Sequence, residues 1–244
     1  MNALSDALLL AQTSGQRIPA DGAISAPHTL AEAYAIQGRV IEGMDADISG
    51  FKTARKPDQP SIWAPIVAHR TWDSGATVPM GAQMGLELEI GWRIMAPLPA
   101  PEDVDFDAAL LRCILPVPVI ELVETRLNGA IAQDPLAKLA DFQINHGLIL
   151  GTPLTTWDGR DFGIVNARMT IPTGTILDGE TSVPDGSALT TLKALIRSIG
   201  NHCGGLKPGQ TVITGSIHPL TYTPTAGDVF GRIDGLGEVS CHLT

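Results

Sequence analysis

The chain has little of what marks several large protein classes. Only three of its 244 residues are cysteine (Cys113, Cys203 and Cys241), odd in number and far apart. That spacing excludes a disulfide scaffold or a C-x-x-C site and fits reduced thiols, mostly core, in a cytoplasmic protein. Sixteen Lys and Arg stand against 26 Asp and Glu, a formal net charge of −10. With no basic run beyond the loose Lys52, Arg55, Lys56 group, nucleic acid and anionic membranes are poor partners. No apolar run approaches the ~20 residues that a membrane span needs. The start, Met1-Asn2-Ala3-Leu4-Ser5-Asp6, lacks the basic head of a signal peptide and reads as the beginning of a helix.

Several catalytic signatures are missing as well. There is no phosphate loop ending in Gly-Lys-Ser/Thr, no G-x-G-x-x-G after a strand and no G-x-S-x-G elbow. Nucleotide, dinucleotide and esterase chemistry therefore find no support. The six histidines form no H-x-H or H-x-x-x-H pair, which argues against zinc.

What is present is a turn-rich globular composition, with 26 Gly, 18 Pro and 44% hydrophobic residues. Leu4, Leu8 and Ala11 fall at helical spacing, and Thr29-Leu30-Ala31-Glu32 is a capping box. It opens a second helix striped by Leu30, Tyr34, Gln37, Val40, Ile41 and Met44 and expected to end near Gly43. Residues 1–46 thus form a helical N-terminal extension, and residues 47–244 one strand-rich body, an α+β chain.

In that body Ile48 to Thr53 reads as a short strand carrying Lys52. Pro57, Pro60 and Pro65 then predict an irregular, extended segment through Trp63. Asp134-Pro135 looks like an N-cap and first helical residue, opening a helix to about Phe142. Strands are expected at Phe162 to Ile171 and Thr211 to Thr214, and a helix over Ser187 to Cys203 closed by Gly204-Gly205.

The most informative stretch is Gly85-Leu86-Glu87-Leu88-Glu89-Ile90-Gly91-Trp92-Arg93-Ile94, where apolar and polar residues alternate without a break. This is the period of a strand with one buried face, and it sets Glu87 and Glu89 roughly 7 Å apart on the other. Two such carboxylates are able to share a divalent cation; an ordinary strand with its polar face in water gives the same pattern. Further on, Glu121 lies in Pro116-Val117-Pro118-Val119-Ile120-Glu121-Leu122-Val123-Glu124, apolar on both faces and hence a buried strand. A buried carboxylate must be protonated, paired or metal-bound. With Glu87 and Glu89 it completes an all-oxygen set suited to Mg²⁺ or Mn²⁺; alternatively it pairs with a core-facing Lys or Arg.

The ordered pieces resemble the 2-keto-4-pentenoate hydratase group of the fumarylacetoacetate hydrolase superfamily. They are Ala33 to Gln37, Gly50-Phe51-Lys52, Glu87-Leu88-Glu89-Ile90, Ile120 to Arg126, Leu139-Ala140-Asp141 and Gly147 to Gly151. Thr214-Gly215-Ser216, Gly227-Asp228-Val229-Phe230 and Gly235-Leu236-Gly237 follow in the same order.

The resemblance implies a mixed β-roll, a homo-oligomer, and Mg²⁺ or Mn²⁺ held by Glu87, Glu89 and Glu121. It implies a small 2-oxo or 2-hydroxydienoic acid from aromatic-ring breakdown as substrate, and a hydratase that adds water to it. Lys52 matches the family's lysine; beside a cation and partly desolvated, it is expected to have a lowered pKa and to shuttle protons. Ser216 and His69 are weaker substrate-site candidates. Arg126 is left out, because strand parity opposite to Glu121 points it away.

The chain departs from the pattern where Ala54 replaces a glycine, where Ile66 to Trp72 lacks an acid, and at Asp141-Phe142 in place of Asp-Asn. These changes leave the metal side intact and the reaction open. Decarboxylation of an oxalocrotonate-type acid, C–C hydrolysis of an acylpyruvate, and a non-catalytic paralogue within an oligomer stand beside hydration.

Overall fold

In the computed structural model, residues 3–19, 24–55 and 59–244 are described. Met1, Asn2, Lys56 and Pro57, on which the readings above touch, lie outside them. The chain runs α1 (Ala3–Ser14), α2 (Leu30–Met44), β1 (Ile48–Ala54), β2 (Ile62–Val67), β3 (Thr71–Asp73), β4 (Ala76–Val78) and β5 (Met84–Ile94). It continues with α3 (Phe106–Cys113), β6 (Ile114–Val123), α4 (Pro135–Ala140), β7 (Asn145–Leu150), β8 (Ile164–Ile171) and β9 (Gly174–Ser182). Last come α5 (Ala188–Ser198), β10 (Thr211–Ser216), β11 (Thr221–Thr223), β12 (Gly227–Ile233) and β13 (Gly237–Leu243).

Alternation along β5 decides the architecture. Leu86, Leu88, Ile90, Trp92 and Ile94 are all fully buried on one face, each worth about 1.5–3 kcal/mol of apolar burial. Their strand is central in a sheet ordered β2-β1-β10-β5-β6-β7-β3, with β11 on the end of β5. The apolar face packs on a second sheet, β4-β13-β12-β8-β9, and on α5. Gly231 of β12 is what lets the sheets meet, since a Cβ there would stand 2.6 Å from Leu88 Cδ1.

The opposite face of the large sheet is mostly shielded from water, with Glu87 and Lys52 partly accessible. Its two outer strands, β2 and β3, are joined by a single 3-10 turn, Ala68–Arg70, which forces the sheet to curl on itself. Pairing register puts Ile66, Ile213, Val117, Val119 and Leu148 on this inner side, all buried. The roll is therefore filled with aliphatic side chains, and Glu87, Glu89, Glu121 and Lys52 share its inner face.

Helices α1 and α2 share a core with α4 and β2, through Leu4, Leu8, Ile36, Val40, Ala64, Val67, Ala137 and Leu139. Thr29 caps α2 as expected, accepting from Glu32 N, while Glu32 reaches back to His28 N instead of the cap's own N–H. Its buried face is rotated towards Ala33 and Ile36, away from Leu30. Asp134 caps α4 through Leu136 N and Ala137 N.

Two local expectations need correction, and one strand goes unforeseen. The segment expected to be irregular is partly strand β2, with Pro65 tolerated because β2 is an outer strand of the sheet order. Strand β9, for which the sequence gives no expectation, is too polar to show apolar alternation and is exposed along much of its length. The helix expected through Cys203 stops at Ser198, followed by a separate 3-10 turn from His202. All three cysteines are unpaired, though only Cys241 is fully buried. Among the described residues no helix is long and apolar enough to cross a membrane.

Candidate metal centre

The antiparallel register of β5 and β6 sets Glu87 directly opposite Glu121 and Glu89 opposite Val119. Both glutamates of β5 and the one of β6 thus face into the roll, where one ligand oxygen from each lies within 4.8 Å of the others. Glu89 and Glu121 are essentially inaccessible to solvent, and Glu87 is half-buried. Lys52, on β1, reaches the same point: its Nζ is 2.7 Å from Glu121 Oε1 and donates to Gln143 O at 3.2 Å. Both readings of Glu121 are therefore present at once, an ion pair with Lys52 and membership of a carboxylate cluster.

Two of the three carboxylates are held from outside the cluster. Asn145 Nδ2 donates to Glu121 Oε1 at 2.7 Å, and Gly215 N donates to Glu89 Oε2 at 2.6 Å. Gly215 has φ +105°, and a Cβ on it would lie 2.9 Å from Pro184 Cγ, so a side chain there would displace the N–H that fixes Glu89. Between the two glutamates, Leu88 N donates to His218 Nε2 at 2.9 Å and Leu88 O accepts from Ile217 N at 3.0 Å. The 214–218 loop thus grips the Glu-x-Glu strand at the register break between β10 and β5.

Glu121 Oε2 is buried and has no partner. Leaving a buried acceptor unmade costs about 1–3 kcal/mol, more for a charged group. Burial also pushes the Glu87 carboxyl up to about 7, with Glu121 adding to the push and Lys52 opposing it. Glu89 is driven well above the usual carboxylate range, first by burial and then by Glu121 and Glu87. Three carboxylates facing one ammonium are short of positive charge. A hard divalent cation bound through oxygen would satisfy the orphaned atom and relieve the repulsion, so the residues present fit such an ion.

For Lys52 the expected lowering of pKa does not hold with the protein's groups alone. Burial works to lower it, but Glu121, Glu87 and Glu89 outweigh burial and hold the ammonium above its ordinary value. The expectation counted desolvation and a cation but not the three negative charges.

Nearby, Arg126 and Asp141 form a second buried ion pair, Nε to Oδ1 at 2.5 Å. Arg126 also donates to Asn145 O at 2.7 Å and Asp141 O at 2.6 Å. β6 ends at Val123, so strand parity no longer governs residue 126; the arginine is nonetheless fully engaged away from the carboxylates. Its clamp holds both ends of Phe142-Gln143-Ile144, three consecutive residues with φ of +54°, +50° and +58°. Left-handed backbone costs about 1–2 kcal/mol per non-glycine residue.

Of the weaker candidates, Ser216 pairs with Glu89 across the strands, but its hydroxyl donates to His218 O at 2.6 Å within its own loop. His69 lies exposed on the 3-10 turn and joins none of these contacts. Asn145, Gly215, His218 and Gln143 escape a site reading of the sequence, because Asn145 and Gly215 stand at strand ends and His218 and Gln143 in turns, where no periodicity marks them. Among the described residues no other trio of acidic, His or Cys ligands converges in this way. A groove of about 320 Å³ elsewhere is lined by the exposed pairs Arg168–Asp178 and Arg232–Asp234, which hold nothing buried.

No protein-family model matches the chain. Among solved structures it is similar to 4-oxalocrotonate decarboxylase from Pseudomonas putida G7, complexed with calcium and acetate. The TM-score is 0.73 at 20% identity, over 99% of this chain and 96% of that one. The same enzyme complexed with magnesium and adipate matches at 0.73 and 19% identity, with the same coverage. Fumarylpyruvate hydrolase from Pseudomonas aeruginosa, in complex with Mn²⁺ and pyruvate, matches at 0.55 and 14% identity, over 80% and 88% of the two chains. At such identities the likeness shows the fold alone: an α+β roll shared with these enzymes.

Proposed function

We propose that the chain is a divalent-metal-dependent enzyme acting on a small 2-oxo or 2-enol acid, with Glu87, Glu89 and Glu121 holding Mg²⁺ or Mn²⁺. The observation that carries this is the buried, unpartnered Glu121 Oε2 inside a converging trio of carboxylates. The resemblance to the hydratase group, and the magnesium and manganese bound in the two similar enzymes, support the choice of ion. When bound, such an ion supplies Lewis-acid stabilisation of negative charge on the 2-oxygen of the acid.

The chain's own residues then divide the remaining work. Lys52 Nζ, 2.7 Å from Glu121 Oε1, stands at the cluster where it can pass a proton to the substrate's carbon chain. For a 2-hydroxy-2,4-dienoate, the 2-hydroxyl loses its proton and C5 gains one, giving the 2-oxo-3-enoate. Water then adds with its oxygen at C4 and a proton at C3, which makes the reaction a hydration with no redox partner. Aliphatic walls of the roll, Val119, Leu148 and Ile213, exclude other water from beneath the cluster.

A second reading has its own support. The likeness to 4-oxalocrotonate decarboxylase spans both chains almost end to end. In that reading the same site stabilises the enolate left when an oxalocrotonate-type acid loses CO₂, and Lys52 protonates it. A homo-oligomer is part of the proposal, checked by light scattering.

The test is a thermal unfolding titration with Mg²⁺ and Mn²⁺ on the wild type and Glu121→Ala. A cation-dependent rise in midpoint that vanishes in the variant is the expected mass-action signature. No shift in either protein at millimolar cation would sink the three-carboxylate site and move the non-catalytic paralogue ahead. Dienoate and oxalocrotonate substrates are then compared, with CO₂ release marking decarboxylation and formation of a 4-hydroxy-2-oxo acid marking hydration.

A further inference from the structure

We infer that Gln143 is a substrate-contacting residue of this site, its side-chain amide reserved for an oxygen at the 2-oxo-carboxylate end of the bound acid. The inference deepens the functional reading above and rests on it. Four buried side-chain atoms among the described residues lack a hydrogen-bond partner: Trp63 Nε1, Trp92 Nε1, Glu121 Oε2 and Gln143 Nε2. The two indoles belong to large aromatic clusters, where ring burial dominates and a missed N–H is a side effect. The other two belong to residues that share one partner, Lys52. Glu121 pairs with Lys52 Nζ through its other oxygen, and Gln143 accepts from the same Nζ through its backbone carbonyl.

An unmade acceptor and an unmade donor therefore stand on two residues held by the same ammonium. The acceptor suits a cation. The donor suits an anionic or carbonyl oxygen brought by the acid that the cation would bind. An acid whose only oxygens are carboxylate and 2-oxo can meet that donor only with these atoms.

The backbone supports a dedicated role. Gln143 has φ +50° and ψ +37°, between Phe142 and Ile144, which are also left-handed. Glycine or asparagine would suit the position better, and β-branched Ile144 is still less at ease there. The strain is held from outside: Ile144 N donates to Asp141 O at 2.8 Å, and Arg126 clamps Asp141 and Asn145. Strain that the surroundings impose concentrates where geometry serves a ligand. As packing alone, methionine would fill the same volume without stranding a donor.

The experiment uses Mn²⁺ and 2-oxopentanoate, a non-reacting acid, by isothermal titration calorimetry on the full chain. Wild type is compared with Gln143→Gly, which relaxes the backbone, and Gln143→Met, which keeps the bulk. Mn²⁺ affinity is expected to stay within about twofold in both variants. The affinity of the Mn²⁺-loaded protein for 2-oxopentanoate is expected to fall about tenfold in both (about 1.4 kcal/mol). The thermal midpoint of cation-free Gln143→Gly should not drop below that of the wild type, so lost binding cannot be ascribed to lost folding.

Unchanged 2-oxopentanoate affinity in Gln143→Gly overturns this inference alone, as does a wild type that binds Mn²⁺ but not the acid. A wild type that binds no Mn²⁺ overturns the metal-dependent reading and this inference together.

Discussion

Two buried ion pairs lie close together in this fold, and they are built on opposite plans. Around Arg126 and Asp141, every group is answered. The guanidinium donates to Asp141 Oδ1, Asp141 O and Asn145 O, and Asp141 Oδ2 accepts from Thr125 Oγ1 and Arg126 N. Around Lys52 and Glu121, one oxygen has no partner, and two further carboxylates crowd a single ammonium. The first pair is a closed network of the kind that fixes a structure. The second holds unmet charge, which the proposed metal site calls for and a brace does not.

Stability measurements by urea unfolding should separate the two plans most widely. Asp141→Ala, which strands a buried guanidinium, is expected to cost about 3–5 kcal/mol. Glu121→Gln removes one of three like charges and keeps a hydrogen-bonding side chain, so in cation-free protein it should change stability by no more than about 1 kcal/mol. Equal losses would mean that the Lys52 cluster is a brace as well.

Turnover should divide them in the other direction. Once a substrate is found, Lys52→Met is expected to lower kcat/KM by about 10²–10⁴-fold, the usual span for a positioned acid. The cation-induced rise in thermal midpoint should survive or grow, because a competing positive charge is gone. A variant turning over within tenfold of wild type would remove Lys52 from the chemistry.

The smallest effect is in pH. The unfolded chain releases the Glu87 proton near 4.5 and the folded chain near 7, so the folded state binds more protons between those values. Stability from this group is present at low pH and is lost as pH rises through about 7, in cation-free protein. Glu89, also shifted upward, acts with the same sign. The thermal midpoint should therefore fall more steeply from about pH 5 to 7 in wild type than in Glu87→Gln. Mn²⁺ affinity should weaken over the same range as pH drops, since the ion displaces those protons. Parallel midpoint curves would show that Glu87 is not buried against its neighbours.

Much of this contrast was legible in the chain itself. Alternation around Glu87 and Glu89 gave the strand and its two faces, and the apolar setting of Glu121 marked it as a carboxylate in need of a partner. Caps at Thr29 and Asp134 and the helical stripes gave the helices. Less visible was strand β9, whose polar residues hide its period, and the strand character of residues 62–67, masked by proline. Gln143, Asn145 and Gly215 gave no signal as candidate site residues, because what matters is where the ends of their strands and turns arrive in the fold.

Sequence by itself determined the local elements and the kinds of ligand available, since period and side-chain chemistry are properties of neighbours along the chain. It also limited the ion to one that favours oxygen. Only the tertiary structure decided that the polar face of β5 turns into a closed roll and not into water. Curling of the sheet between β2 and β3, and the register of β5 on β6, bring Lys52, Glu87, Glu89 and Glu121 to one point. The same closure excludes water and lifts the Glu87 and Glu89 carboxyls out of their ordinary range, because the energy of a buried charge depends on everything packed around it.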